Sequence, residues 1–132
     1  MLPGAISNFD NRLHDILPCL GIAQYLHFII TSEDARSSKP DSEIFSLAAR
    51  KSLLHNLQPE EILHVGRWRV CVMWVVNHDV VAGDDVRNDY LGPRHLGWNS
   101  LLVDRWGGGY TTIDQDQVIE NLMEVFTRDS FQ

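Results

Sequence analysis

Four short apolar runs, each broken off by polar or glycine turn formers and separated by stretches of helical periodicity, restrict this chain to one kind of fold. Ala5 and Ile6 stop at Ser7, Asn8 and Asp10, and the run 26–30 stops at Thr31 and Ser32. A third run, 62–65, stops at Gly66, and a fourth, 101–103, passes into Asp104 and a glycine-rich loop around Trp106. Between the first two, Leu13, Ile16, Leu17 and Leu20 recur at helical spacing with Gly21 as a stop. After Pro40, "DSEIFSLAARKSLL" repeats the pattern: Asp41 or Ser42 is placed to cap a helix whose apolar side carries Ile44, Phe45, Leu47, Ala48 and Leu54. "DDVRNDYLGPRHLG" reads as a polar turn into a short helix closed by Gly97, and "DQDQVIENLMEVF" as a closing amphipathic helix with Val118, Ile119, Leu122, Met123 and Phe126 inward. Strand, helix and strand in succession imply a parallel α/β sheet with flanking helices.

The chain is long enough, at 132 residues, for one domain with a real core and too short for two ordinary ones. Charged residues at 22% and hydrophobic residues at 44% are ordinary for a globular protein, and no apolar run reaches the roughly 18 residues that suggest a membrane span. A net charge of −7 with scattered Lys and Arg argues against broad nucleic-acid contact. Cys19 and Cys71 have no CxxC spacing, which indicates neither a zinc site nor a disulfide framework. The start "MLPGAISNFD" has no basic flank and only a very short apolar run, so the expected compartment is the cytoplasm, with the nucleus as the alternative.

Ligands of an open α/β sheet gather beyond the carboxyl ends of its strands. The polar residues there are Ser7 and Asn8 after the first strand, Lys39 after the second, and Asp84, Asp85 and Asp89 in the acidic turn. A serine hydroxyl followed by backbone N–H groups makes an anion-binding turn, and a lysine adds a compact positive charge. Clustered carboxylates suit Mg²⁺, which takes oxygen ligands and keeps several waters. Each alone has an ordinary structural explanation; acidic clusters in particular are common at helix N-termini. Together they describe a phosphate pocket beside a metal.

The ordered segments "AISNFDNRLHDIL", "FIITSEDARSSKPDSEIFSLA", "HVG" and "GDDVRNDYLGPRHLGWNSLLV" resemble the C-terminal half of the haloacid dehalogenase-like hydrolases. The resemblance implies an incomplete Rossmann-like parallel sheet over residues 1–132, and a family activity of Mg²⁺-dependent hydrolysis, most plausibly of a small phosphate ester. By it, Ser7 and the Asn8 N–H hold the phosphoryl group, Lys39 balances the charge of nucleophile and phosphate, and Asp84 with Asp89 bind Mg²⁺; Asp85 lies beside them without a firm role. The family's nucleophilic Asp and its acid–base Asp, in a DxDxT-type motif on an N-terminal strand, have no counterpart here, and the cap that helps choose substrate is absent as well. The chain's DxD, Asp114 and Asp116, opens the expected closing helix, where the helix dipole explains it. These 132 residues are therefore expected to be inactive by themselves. The alternatives are a non-catalytic protein that binds a partner through an exposed sheet edge, and a half-enzyme that needs a separate N-terminal part.

One segment departs from the pattern. Joining Gly66 to Asp84 gives "HVGDDVRNDYLG", an uninterrupted family motif, so 67–83 is an insertion at the site end of a core strand. Its seventeen residues are rich in Val, Trp, Cys and Met, whose codons are rich in G and T, and they preserve the reading frame, which fits a retained intron. The competing reading is a real strand in the slot that, by the resemblance, the missing N-terminal strand leaves in the middle of the sheet, with "HDVVAGDD" approaching the acidic turn a second time. Such a strand would run antiparallel to the run before it, which weighs against it in a parallel sheet.

Overall fold

The computed structural model describes residues 2–52, 58, 62–67, 70–75, 82–83, 85–104, 113–114 and 118–120. The chain begins with β1 (Leu2–Ser7), α1 (Leu13–Cys19), a 3-10 turn (Ala23–Tyr25) and β2 (Phe28–Thr31). It continues through α2 (Ser32–Ala35), α3 (Ser42–Lys51), β3 (Ile62–Arg67), β4 (Val70–Val75) and β5 (Ala82–Gly83). A π-helical turn (Val86–Leu91), α4 (Gly92–Arg94), β6 (Asn99–Val103) and β7 (Val118–Ile119) complete it.

The strands form one sheet in the order β2-β1-β4-β3-β5-β6-β7. All adjacent pairs are parallel except the two made by β4, which is antiparallel to both β1 and β3. Alternation along each strand splits the apolar residues between two faces. Ile6, Phe28, Ile30 and Ile62 pack with Ile44, Phe45 and Ala48 of α3 on one side, where Trp98 meets Phe45 edge-to-face at 5.4 Å. Ala5 packs with Leu13 and Leu17 of α1 on the other. Only this i, i+4 pair of the expected helical face is buried; Ile16 and Leu20 are 39% and 63% exposed. Gly4 sits in register with Phe28, and the absence of a side chain there lets the Phe28 ring lie across β1.

Helix limits follow local chemistry. Thr31 forms a capping box with Asp34 at the start of α2, and Gly21 and Gly97 adopt left-handed conformations after the segments they end. Two expectations are corrected. Val118 and Ile119 are not helical: they pair in parallel with Leu102 and Val103, where the Ile119 carbonyl accepts from the Asp104 N–H at 2.7 Å and the Ile119 side chain is buried. Leu54, Leu122, Met123 and Phe126 lie outside the described residues, as do Trp106 and Asp116. The second correction concerns the insertion, whose residues 70–75 are a strand inside the sheet despite the reversed direction. The backbone groups of β1 and β3 facing each other across an empty slot would be unpaired in a buried place, and an apolar, β-prone segment satisfies both rows. Gly66 and Gly83, the two apparent ends of the split motif, lie on adjacent parallel strands, since Val65 of β3 pairs with Ala82 of β5.

Candidate functional site

Ser7 is the last residue of β1 and is completely buried. The chain turns at once, and the Phe9 N–H donates to Ser7 Oγ at 3.1 Å, a side-chain turn of the kind serine favours after a strand. The turn is braced by the end of β2. The Ser32 hydroxyl donates to the Phe9 carbonyl at 3.1 Å, the Thr31 hydroxyl to Asn11 Oδ1 at 2.5 Å, and the Asn11 N–H to Glu33 at 2.9 Å. Asp34 accepts from the Thr31 N–H at 2.9 Å and lies 2.8 Å from His14 of α1. Partial burial pushes the Asp34 carboxyl up, but the Thr31 N–H, His14 and the Thr31 hydroxyl outweigh it and leave its pKa below the usual carboxylate range.

Asn8 does more than offer its backbone N–H. Its side-chain amide clamps the backbone of Lys39: the Lys39 N–H donates to Asn8 Oδ1 at 2.6 Å, and Asn8 Nδ2 donates to the Lys39 carbonyl at 3.0 Å. An amide that accepts and donates to one residue fixes both the position and the direction of that peptide. The Lys39–Pro40 bond is cis. So held, Lys39 is only 5% exposed, and its ammonium donates to Asp89 Oδ1 at 2.6 Å.

Asp89 arrives from the opposite side. Asp85 caps the π-helical turn, accepting from the Asn88 N–H at 2.8 Å, and the Asp89 N–H donates to the Asp85 carbonyl at 2.8 Å. One turn on, Asp89 is directed inward at 3% exposure while Asp85 remains outside. The role left open for Asp85 is thus a helix cap in this structure. Asp84 lies outside the described residues.

The fold therefore links Asn8, Lys39 and Asp89 by hydrogen bonds at the carboxyl ends of β1 and β5, with Ser7 immediately before Asn8, although the three segments stand far apart in sequence. Sequence reasoning missed the Asn8 clamp and the Thr31–Asp34–His14 brace; an Asn immediately after a strand-ending Ser, and a Thr three residues before an Asp, were the available signals. Asp114 is exposed and belongs to no such group. Asp89 itself offers carboxylate oxygens, the donor type Mg²⁺ takes, so it fits that ion in kind. Among the described residues, however, no group of three metal-capable side chains is gathered, and Asp89 already faces an ammonium.

No family model matches the chain. Over 127 residues, 92% of the chain, it is 37% identical to Rhythmically expressed gene 2 protein of Drosophila melanogaster. It is 34% identical over 95% of its length to Haloacid dehalogenase-like hydrolase domain-containing protein 3 of Danio rerio, and 39% identical over 74% to the Homo sapiens protein of that name. The chain spans less than half the length of these relatives, 42%, 44% and 31%, and corresponds to their C-terminal part. A crystal structure of an HAD phosphatase from Thermococcus onnurineus superposes with a TM-score of 0.70 at 20% identity, covering 92% of this chain and 46% of that one. The putative HAD-hydrolase YfnB from Bacillus subtilis, bound to magnesium, superposes with a TM-score of 0.66 at 18% identity, covering 92% and 45%. The fold is thus that of the haloacid dehalogenase-like hydrolases, and the sequence resemblance is to the same group. No helix among the described residues is long and apolar enough to cross a membrane.

Proposed function

We propose that this chain, a partial core of the haloacid dehalogenase-like hydrolase fold, holds a phosphate ester but does not hydrolyse it by itself. The observation that carries the reading is the run of hydrogen bonds from Asn8, the residue after the buried Ser7, through Lys39 to the buried Asp89. In it, Ser7 and the Asn8 N–H receive phosphoryl oxygens, and the clamped Lys39 supplies the positive charge. Hydrolysis in this fold family uses a carboxylate nucleophile with a second carboxylate two positions on. The described strand ends supply no such pair: the strand between β1 and β3 starts with Val70 at that edge, and the DxD of the sequence begins with the exposed Asp114.

Asp89, with Asp84 by the family resemblance, would hold Mg²⁺, and the ion would supply positive charge to the phosphate. Its affinity would be lowest with no anion present, since the Lys39 ammonium lies 2.6 Å from the Asp89 carboxylate. An arriving dianion competes with Asp89 for Lys39, so anion and metal each release the group the other needs. The two bind with positive and reciprocal coupling. The placement of β4 in the middle of the sheet favours the non-catalytic alternative over a half-enzyme that takes up a separate N-terminal strand.

Titration with inorganic phosphate, followed by NMR amide shifts in EDTA and again in Mg²⁺, tests the reading. Shifts are expected at Ser7, Asn8, Phe9 and Lys39, with tighter binding in Mg²⁺; Ser7→Ala weakens it while leaving the ion pair intact. Asp89→Asn removes a negative charge beside Lys39 and raises phosphate affinity in EDTA by at least about tenfold, since a unit charge about 5 Å away is worth on the order of 3 kcal/mol at an effective dielectric of about 20. Absence of shifts at these amides would refute the binding. Turnover of p-nitrophenyl phosphate that Lys39→Ala abolishes would refute the silence.

A further inference from the structure

We infer that Val70–Val75 is an internal donor strand: it fills the slot between β1 and β3 from within the chain, completes the core and bars any other strand from that place. β4 is paired on both sides along its length. Leu2 to Ile6 of β1 face Val75 to Cys71 in register, and Ile62 to Arg67 of β3 face Val75 to Val70. Among the described residues it is the one strand opposed in direction to its neighbours. The direction records its source. A strand that follows its neighbour after only two residues, 68 and 69, has to return antiparallel, whereas a parallel one needs a crossover of a dozen or more residues.

The slot is not dispensable. Ile6 of β1 and Ile62 of β3 belong to one buried cluster under α3, although a whole strand separates them. Strands lie about 4.8 Å apart, so removing β4 opens a gap of roughly one strand width beneath that cluster, or forces β1 and β3 together and shifts every side chain packed over them. It also strips two rows of backbone N–H and C=O groups of their partners in the centre of the sheet. An external strand would have to displace all of this pairing before it gained any, so the filled slot resists complementation in trans. The reversal has a chemical consequence too. The row that contains Arg67 and Val70 lies at the edge where β1 ends in Ser7, so the central strand begins at the candidate site with an apolar residue and runs away from it.

This inference rests on the sheet pairing and not on the ligand reading, and its test has no ligand in it. Native Cys71 faces Ile6 on one side and Gly66 on the other. Facing residues on antiparallel strands have Cα atoms about 4.5–5.5 Å apart, within the range a disulfide spans. In a Cys19→Ser background, Ile6→Cys and, separately, Gly66→Cys should each form an intrachain disulfide with Cys71 on mild oxidation, seen as a monomeric gel shift and loss of both free thiols by mass spectrometry. Two variants on opposite sides guard against one of them misfolding. The full chain should also take up no added extended apolar peptide, whereas deletion of 67–83 should abolish cooperative urea unfolding. A lysine-flanked peptide carrying residues 70–75 should restore it to the deletion variant. Persistent free thiols in both folded variants, cross-links only between chains, or undiminished cooperative unfolding after the deletion would overturn the inference.

Discussion

The Lys39–Asp89 pair gives the sharpest quantitative test of the site. Its side chains are 4% and 5% exposed and the N–O distance is 2.6 Å, so neither charge has bulk water to fall back on. Removing one partner of such a pair leaves an uncompensated buried charge and costs about 3–5 kcal/mol, whereas replacing both by apolar groups of similar volume is often neutral or stabilising. Lys39→Met should therefore lower the unfolding free energy by about 4 kcal/mol at neutral pH, and Asp89→Leu by a similar amount. For a domain of this size that is a fall of roughly 12–20 °C in midpoint. The double variant should recover most of the loss, giving a coupling of several kcal/mol in a double-mutant cycle. Urea unfolding followed by circular dichroism measures all four corners. Single-variant losses below about 1 kcal/mol, the behaviour of an exposed pair, would show that water reaches the site and that the burial argument is wrong.

Two further perturbations probe the scaffold. Asp34 titrates below the usual carboxylate range in the folded chain, so its contribution is present above its unfolded value of about 3.9 and is lost as pH falls through the lower folded value. The stability advantage of the native chain over Asp34→Asn should shrink on acidification from about pH 5 to pH 2, and parallel curves over that window would refute the brace. Gly4→Ala would place a methyl carbon 2.2–2.5 Å from three atoms of the buried Phe28 ring, an overpacking worth about 1–3 kcal/mol, and Phe28→Leu in the same chain should relieve part of it; a neutral Gly4→Ala in thermal melts would exclude the close approach.

The strands were legible because each is a run of apolar residues with a polar or glycine stop, and the four expected runs coincide with β1, β2, β3 and β6 to within two or three residues. That Ser7, Lys39 and Asp89 gather at one edge of the sheet was legible for the same reason: a parallel sheet sends the polar residues that follow its strands to its carboxyl edge. What escaped was pairing. Whether Val118 and Ile119 sit on a helix or at a sheet rim depends on the partner offered by Leu102 and Val103, which periodicity in a short apolar pair cannot reveal. Likewise, an argument from direction alone discounted β4, because it weighed the rarity of an antiparallel strand in a parallel sheet and left out the cost of an unfilled slot.

The reversed strand and the buried ion pair bear on the same question. Beyond the carboxyl ends of parallel strands, a site accumulates the groups that each strand end delivers, so its charge depends on the direction of every strand that reaches it. Here β1 delivers Ser7, the loop after β2 delivers Lys39, and the turn after β5 delivers Asp89, but the strand between β1 and β3 delivers its start, not its end. A carboxylate there would take a share of Lys39; as it is, the ammonium donates to Asp89 at 2.6 Å. Within that pair each charge is offset by the other. A buried pair of this kind gives way more readily to an anion and a cation that arrive together than to either alone, which is what the proposed binding reading expects of it.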